Sequence, residues 1–215
     1  MKKFLIILCF AIFSCSQESD PILKQIPAGT YTIDKTHASL IFRVNHLGMS
    51  NYTARFKRFD ATLQFNPADP ASASVTATID PASIETDFPE AKPDFNGMLK
   101  KAQWLDVVKF PKIEFSSSKV EIIGPNKGKV TGNLTLHGVT LPVVLKVKFN
   151  GGYAGHAFDP KGSRIGFSAH TSFNRSDFGI GFGVPEKGSK MGVGDEVDVI
   201  IEAEFTRPKS EAEVK

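Results

Sequence analysis

From Gly29 onward, Gly, Pro, Asn or Asp punctuate the chain every dozen or so residues, and between these marks apolar residues recur with a period of two. That period places alternate side chains on opposite faces of a strand. Leu40, Phe42 and Val44 alternate with Ile41, Arg43 and Asn45. Phe59, Ala61, Leu63 and Phe65 follow, and then Val75, Ala77 and Ile79. Val130, Gly132, Leu134 and Leu136 repeat the pattern, as do Leu141, Val143, Leu145, Val147 and Phe149 against Lys146 and Lys148. Ile165, Phe167, Ala169, Thr171 and Phe173 share a face, and Val197, Val199, Ile201, Ala203 and Phe205 oppose Asp198, Glu202 and Glu204. Strands with one greasy face predict an all-β, antiparallel sheet. One interruption, Ala91 to Leu105, spaces Phe95, Met98, Leu99 and Ala102 as a helix would, able to cover a sheet face or plug an opening. About eight one-sided strands either stack as a sandwich or curl into a barrel, and periodicity alone does not separate the two.

Length and composition narrow the reading. A chain of 215 residues holds one ordinary domain or at most two small ones. With 41% hydrophobic and 23% charged residues it has the profile of a globular protein rather than a disordered chain. Its 18 Phe against 3 Tyr and 1 Trp favour dry surface and a large apolar interior. The net charge of +3 falls to +1 once Lys2 and Lys3 are set aside, so no nucleic-acid footprint is supported.

Those two lysines precede an apolar run, Phe4 to Phe13, too short to span about 30 Å of hydrocarbon as a helix. Residues 1–14 therefore read as a signal peptide. Ile12-Phe13-Ser14-Cys15 resembles a bacterial lipobox, which makes Cys15 a lipidation site. Ordinary cleavage after Ser16, with Ser14 and Ser16 at the inspected positions, is the competing reading. A chain beginning at Cys15 keeps no second cysteine, so no disulfide, thiol catalysis or cysteine zinc site is available. Residues 15–28 read as a tether, 29–207 as the domain and 208–215 as a flexible tail. The expected location is the periplasm, on a membrane through the lipid anchor.

No catalytic constellation emerges. His37, His46, His137, His156 and His170 are scattered without metal-ligand spacing, and no metal is expected. Gly179, Gly181 and Gly183 are followed by Pro185 where a phosphate cradle needs a helix start, and no Gly-x-Ser-x-Gly elbow is present. Two apolar faces do end in polar groups: Leu40, Phe42 and Val44 lead to His46, while Phe167 and Phe173 lead to Arg175 and Asp177. In a barrel holding an apolar ligand, these first residues line the cavity and His46, Arg175 and Asp177 hold a polar head group. Alternatively, Arg175 and Asp177 pair with each other or with loop backbone to close the barrel end.

In order, the chain carries Tyr31-Thr32-Ile33-Asp34-Lys35-Thr36-His37-Ala38, Ile41-Phe42-Arg43-Val44-Asn45-His46-Leu47-Gly48, the run from Phe56 to Phe65, Ile79-Asp80-Pro81-Ala82-Ser83-Ile84-Glu85-Thr86 and Phe110-Pro111. Gly132-Asn133-Leu134-Thr135-Leu136-His137-Gly138-Val139-Thr140 and Asn174-Arg175-Ser176-Asp177-Phe178-Gly179 follow. This order of motifs resembles the YceI family. Where that family often carries Asp-x-His-Leu at the start of its helical segment, this chain reads Asn96-Gly97-Met98-Leu99. The resemblance implies an antiparallel lipocalin-like barrel closed by a helix, with a hydrophobic channel for an isoprenoid, such as a quinone or polyprenyl chain, or a similar lipid. With the secretion signal and the Phe excess, the leading expectation is non-enzymatic binding, transport or storage of such a lipid in the bacterial envelope, with no cofactor. A lipid-modifying enzyme using the same cavity, and an envelope interaction protein with a packed core, are the alternatives.

Overall fold

The computed structural model describes residues 23–159 and 162–208. The expected signal peptide, Cys15, most of the tether and the tail from 209 lie outside the described residues. Ten strands follow one another: β1 (Gly29–His46), β2 (Ser50–Phe56), β3 (Phe59–Phe65), β4 (Ser74–Ile79), β5 (Ile84–Glu85), β6 (Ile113–Gly124), β7 (Lys127–Leu136), β8 (Val139–Tyr153), β9 (Gly162–Asn174) and β10 (Val193–Pro208). A single short helix, α1 (Phe95–Leu99), lies between β5 and β6. No helix among the described residues is long and apolar enough to cross a membrane.

All pairings are antiparallel, and the sheet closes because β10 pairs with β1 as well as with β9. The ring of β1, β3, β4, β6, β7, β8, β9 and β10 is an eight-stranded barrel, which decides against the sandwich. Taking the end where β1 starts as the lower and the end where it finishes as the upper, β1 serves two neighbours on one edge. Its lower residues Gly29–Thr32 pair with β3, and its upper residues Ile41–His46 pair with β2, which carries β5. A register shift between Ile33 and Ala38 marks the bend between the two halves.

Period two had revealed most strands but not β2, β5 or the long β6. In Ile113–Gly124 the run Ser116-Ser117-Ser118 interrupts the apolar alternation, and a register shift between Ser117 and Lys119 falls at the same place. Gly132 sits opposite on β7 because a Cβ there would meet the Phe115 ring at 2.4 Å. The expected helix over Ala91–Leu105 shrinks to the five residues of α1. Asp94 Oδ1 accepts from Gly97 N–H at 2.7 Å, and the chain past Leu99 continues as turns stitched by Leu105 N–H to Leu99 O and Asp106 N–H to Lys101 O. Gly97 in the interior weakens helix propagation, and Ala102, expected on the apolar face, is exposed.

Two apolar cores occupy the ends. The lower gathers Tyr31, Ile33, Leu63, Phe65, Phe149, Ile165 and Phe205, and the upper gathers Ile79, Ile113, Phe115, Leu136, Phe178 and Ile180. Within the stretch expected as tether, Leu23–Gln25 forms a turn and Ile26, 2% exposed, belongs to the lower core. Tyr31 Oη donates to Pro27 O at 2.7 Å, fixing the chain where it enters β1.

Outside the barrel, two polar clasps cross the β1–β10–β9 closure. In the lower clasp Arg164 of β9 donates from Nη1 to Asp34 at 2.5 Å and to Glu204 at 2.7 Å, and from Nε to Tyr153 Oη at 3.1 Å. Burial alone would lower the Arg164 pKa, but those bonds outweigh it and raise it. Asp34 is held well below the usual carboxylate range, first by the Thr36 hydroxyl and then, against burial, by His37 and Arg164. In the upper clasp Asp198 receives Arg43 and His170.

Because Asp34 is depressed in the folded state, its stabilisation is complete above the ordinary aspartate value of 3.8 and shrinks as pH falls below it. Asp34→Asn should cost about 1 to 2 kcal/mol at neutral pH. Urea midpoints of the two proteins should converge between pH 4 and the lowest pH at which both still fold; a gap that stays constant on acidification would refute the role given to this carboxylate.

Candidate functional site: an apolar cavity through the barrel

Alternation turns one face of every ring strand inward, and eight strands hold those faces too far apart for the side chains of the middle to meet. A cavity of about 1170 Å³ remains. It exceeds the roughly 300–1,000 Å³ typical of sites for drug-sized ligands. Leu40, Phe42 and Val44 line it from β1, Phe167 and Phe173 from β9, and Val197, Val199 and Ile201 from β10. Phe42 stacks at 5.3 Å on Phe56, while Phe167 contacts Phe65, Phe149 and Phe205. These rings account for much of the Phe excess.

Among the described residues no Asp or Glu lines the cavity; Thr171 lies at mid-height beside Val199, and the other polar groups collect towards the ends. At the upper end stand His46, Tyr52, Trp104 and Arg175. His46 is exposed at the rim. Arg175 is 4% exposed and donates four bonds to backbone: Nε to Gly194 O, Nη1 to Ile180 O and Phe182 O, and Nη2 to Val193 O, all at 2.7–2.9 Å. Burial lowers its pKa, partly opposed by Asp195. The guanidinium carbon lies 5.5 Å from the Trp104 ring centre.

Asp177 is placed elsewhere. β9 ends at Asn174 and residues Arg175–Phe178 form a 3-10 turn, so a face extrapolated with period two past the strand end loses its alternation. Asp177 is exposed, does not line the cavity and does not bond Arg175. The carboxylate that steadies this turn is Asp195, which accepts from Ser176 N–H at 2.9 Å and from its hydroxyl at 2.7 Å. Of the two readings of Arg175, its bonds match closure of the barrel end onto loop backbone.

Pattern reasoning missed two residues. Trp104 Nε1 and Asn126 Oδ1 are buried without a hydrogen-bond partner, and both residues line the cavity, at the upper and lower ends respectively. A lone Trp within the expected helix was the available signal for the first. Asn96, at the head of α1, accepts from Thr86 N–H and Oγ1 and donates to Glu85, tying the helix to β5. On the outer wall Asp34, His37 and Glu204 lie close enough to share an ion, but Arg164 Nη1 already bridges the two carboxylates.

At the lower end the wall parts. β4 and β6 are paired only over Thr76–Ile79 and Ile113–Ser116; below that Val75 N–H donates to Ser117 Oγ and the ladder stops. The cavity lining runs out there to Pro67, Ala68 and Pro70 on one side and to Pro125, Asn126 and Lys127 on the other. Ala68, Pro125 and Lys127 are exposed, so this gap is a mouth.

A family model described as a YceI-like domain matches residues 31–205, all but the first and last few residues of the barrel. The chain belongs to the YceI-like family. This YceI-like protein is 38% identical over 159 residues to a UPF0312 protein of Pseudomonas savastanoi pv. phaseolicola, covering 73% of this chain and 79% of that one. It is also 38% identical over 186 residues to one of Enterobacter sp. (strain 638), covering 85% and 89%. Among solved structures it is similar to Burkholderia cenocepacia BcnA, with TM-score 0.67, 26% identity, and 80% of this chain and 98% of that chain covered. A polyisoprenoid binding domain from Saccharophagus degradans shares the fold, with TM-score 0.58 and 13% identity over 83% of this chain and 98% of that one.

Replacing Arg175 by Leu takes the guanidinium donor from four backbone carbonyls, one of them buried and three part-buried, so it should cost about 3 kcal/mol in urea unfolding. Asp177→Ala, on an exposed carboxylate, should stay within about 0.5 kcal/mol. Equal costs for the two would contradict the division of roles drawn above.

Proposed function

We propose that this YceI-like protein binds an isoprenoid or similar long-chain amphiphilic lipid and carries or stores it in the cell envelope, without catalysing a reaction on it. The observation that carries this reading is the cavity: its middle is lined by apolar side chains with one threonine, Thr171, among them, and its other polar groups lie towards its ends. The shared fold with a polyisoprenoid binding domain supports the choice of ligand class. The expected signal and lipid anchor at Cys15 support the envelope as its place.

Energetics limit what the cavity has to do. At about 0.8 kcal/mol per buried CH₂, a chain of about eight isoprene units scored against water would exceed the practical ceiling of about 18 to 21 kcal/mol. The lipid's alternative is a bilayer, not water. Moving an apolar tail from bilayer to barrel changes its hydrophobic energy little, so selectivity falls to channel shape and to the polar ends. At the upper end four N–H groups of the arginine go to backbone carbonyls, and among the described cavity-lining side chains Trp104 Nε1–H is a buried donor without a partner. That favours a head group offering an uncharged acceptor oxygen, such as a quinone carbonyl, over a diphosphate.

Native mass spectrometry of the purified chain, followed by solvent extraction, should find a stoichiometric prenyl or other long-chain lipid. Phe42→Asp puts an unpaired carboxylate into the apolar wall and should abolish retention while the barrel still folds by circular dichroism. A folded Phe42→Asp that keeps its lipid, or a wild-type chain that refuses added quinones and polyprenols, would reject the carrier reading.

A further inference from the structure

The outer face of β6, β7 and β8 near the lower end is charged in one sense. Between Ser117 and Asn150 the chain has five lysines, Lys119, Lys127, Lys129, Lys146 and Lys148, and one carboxylate, Glu121. Lys127 stands directly opposite Lys148, and Lys129 opposite Lys146, across the β7–β8 ladder. All four side chains are exposed. Like charges placed opposite one another destabilise a sheet. Glu121 forms its ion pair with Lys119, so among the described residues it is the sole acid on this face and is already engaged.

Large apolar side chains protrude at the same end. Ile122 and Ile123, next to the β6–β7 turn, are 47% and 54% exposed, and Phe158, in the β8–β9 connection, is 93% exposed. Ile123 sits at the register shift between Ile122 and Gly124, exposed four residues before Lys127, while Ile122 reaches the cavity. The mouth between the β3–β4 connection and the β6–β7 turn opens beside them. Met49, Phe182 and Met191 are also exposed, at the upper end. There basic residues are interspersed with Asp87, Glu90, Asp94, Asp106 and Glu186, whereas beside the lysine face the lower end has Asp69 at the mouth and Asp159, which accepts from Tyr153 Oη, next to Phe158.

We propose that the β6–β8 lysine face is a docking surface for an anionic phospholipid bilayer, with Ile123 and Phe158 entering the interface so that the lower mouth of the cavity faces the lipid. Charge complementarity selects the occupant: each lysine near an anionic leaflet gains attraction that salt screens. The protruding aliphatic and aromatic groups favour a surface they can penetrate over one of charge alone. The surface goes beyond the cargo reading and is tested without cargo.

The test is cosedimentation of the full chain with phosphatidylglycerol–phosphatidylcholine vesicles and with phosphatidylcholine vesicles alone. All variants share one N-terminus, so any contribution of residues 1–22 cancels between them. The wild type should bind the anionic vesicles, less so as salt is raised. Combined Lys127→Gln, Lys129→Gln, Lys146→Gln and Lys148→Gln should weaken binding roughly fivefold per lysine and should unfold no earlier on heating, because opposed like charges are removed. Ile123→Asn should weaken binding while leaving its salt dependence in place. Equal binding to both vesicle types, or full binding by the four-lysine variant, overturns the proposal. So does loss of binding on Met49→Asn with Met191→Asn alone, which would move docking to the upper end. A wild type that binds neither vesicle also overturns it and leaves an acidic protein surface as the partner. Cargo retention, read on the same samples by native mass spectrometry, is scored separately.

Discussion

Everything in this fold depends on the first strand meeting the last. Thr32 faces Thr206 and His46 faces Val193, so the β1–β10 ladder runs the full height of the wall. Without it the ring is an open sheet whose inner face would lie in water and whose two long edges would invite other strands. The clasps centred on Arg164 and Asp198 sit over this seam and its neighbour β9, outside the barrel, where they hold the joint without placing charge inside. The interior can then remain apolar.

Closure also explains why there is a cavity at all. Apolar side chains fill the two ends, where strands bend inward or loops fold over, and leave the middle of an eight-stranded ring unfilled. The upper end is closed by backbone gathered around one guanidinium, an arrangement that needs no partner carboxylate because carbonyl dipoles share the compensation. The lower end is packed on the side of β1, β3, β8, β9 and β10 and parted between β4 and β6. The barrel is thus built unequally, with one end closed over by backbone and the other parted between β4 and β6.

Much of this was legible in the chain. Alternation marked the inward faces of seven ring strands, and Leu40, Phe42, Val44, Phe167 and Phe173 do face the cavity because period two holds wherever a strand is regular. It fails where strands end or kink. Asp177 left the expected face because a 3-10 turn begins two residues before it, and β6 was hidden by three serines that break the alternation. α1 was overextended because four apolar residues at helical spacing reveal neither the Asp94 cap that starts the helix only at Phe95 nor the turns that replace it after Leu99. That Trp104 and Asn126 would carry unpartnered polar atoms was hidden for another reason, even though the lone Trp itself stood out. Whether a polar atom goes unpartnered is decided by neighbours far away in sequence, and no local pattern records it.

A packed protein changes volume little on unfolding, because its interior is already dense. A barrel with about 1170 Å³ of interior space differs. When nothing fills that space the folded state carries a void that unfolding removes, and hydrostatic pressure works against it; a lipid chain in the channel replaces the void with matter and takes that leverage away. Occupancy is therefore coupled to molar volume as well as to affinity, and the laden and unladen barrels are materials of different compressibility.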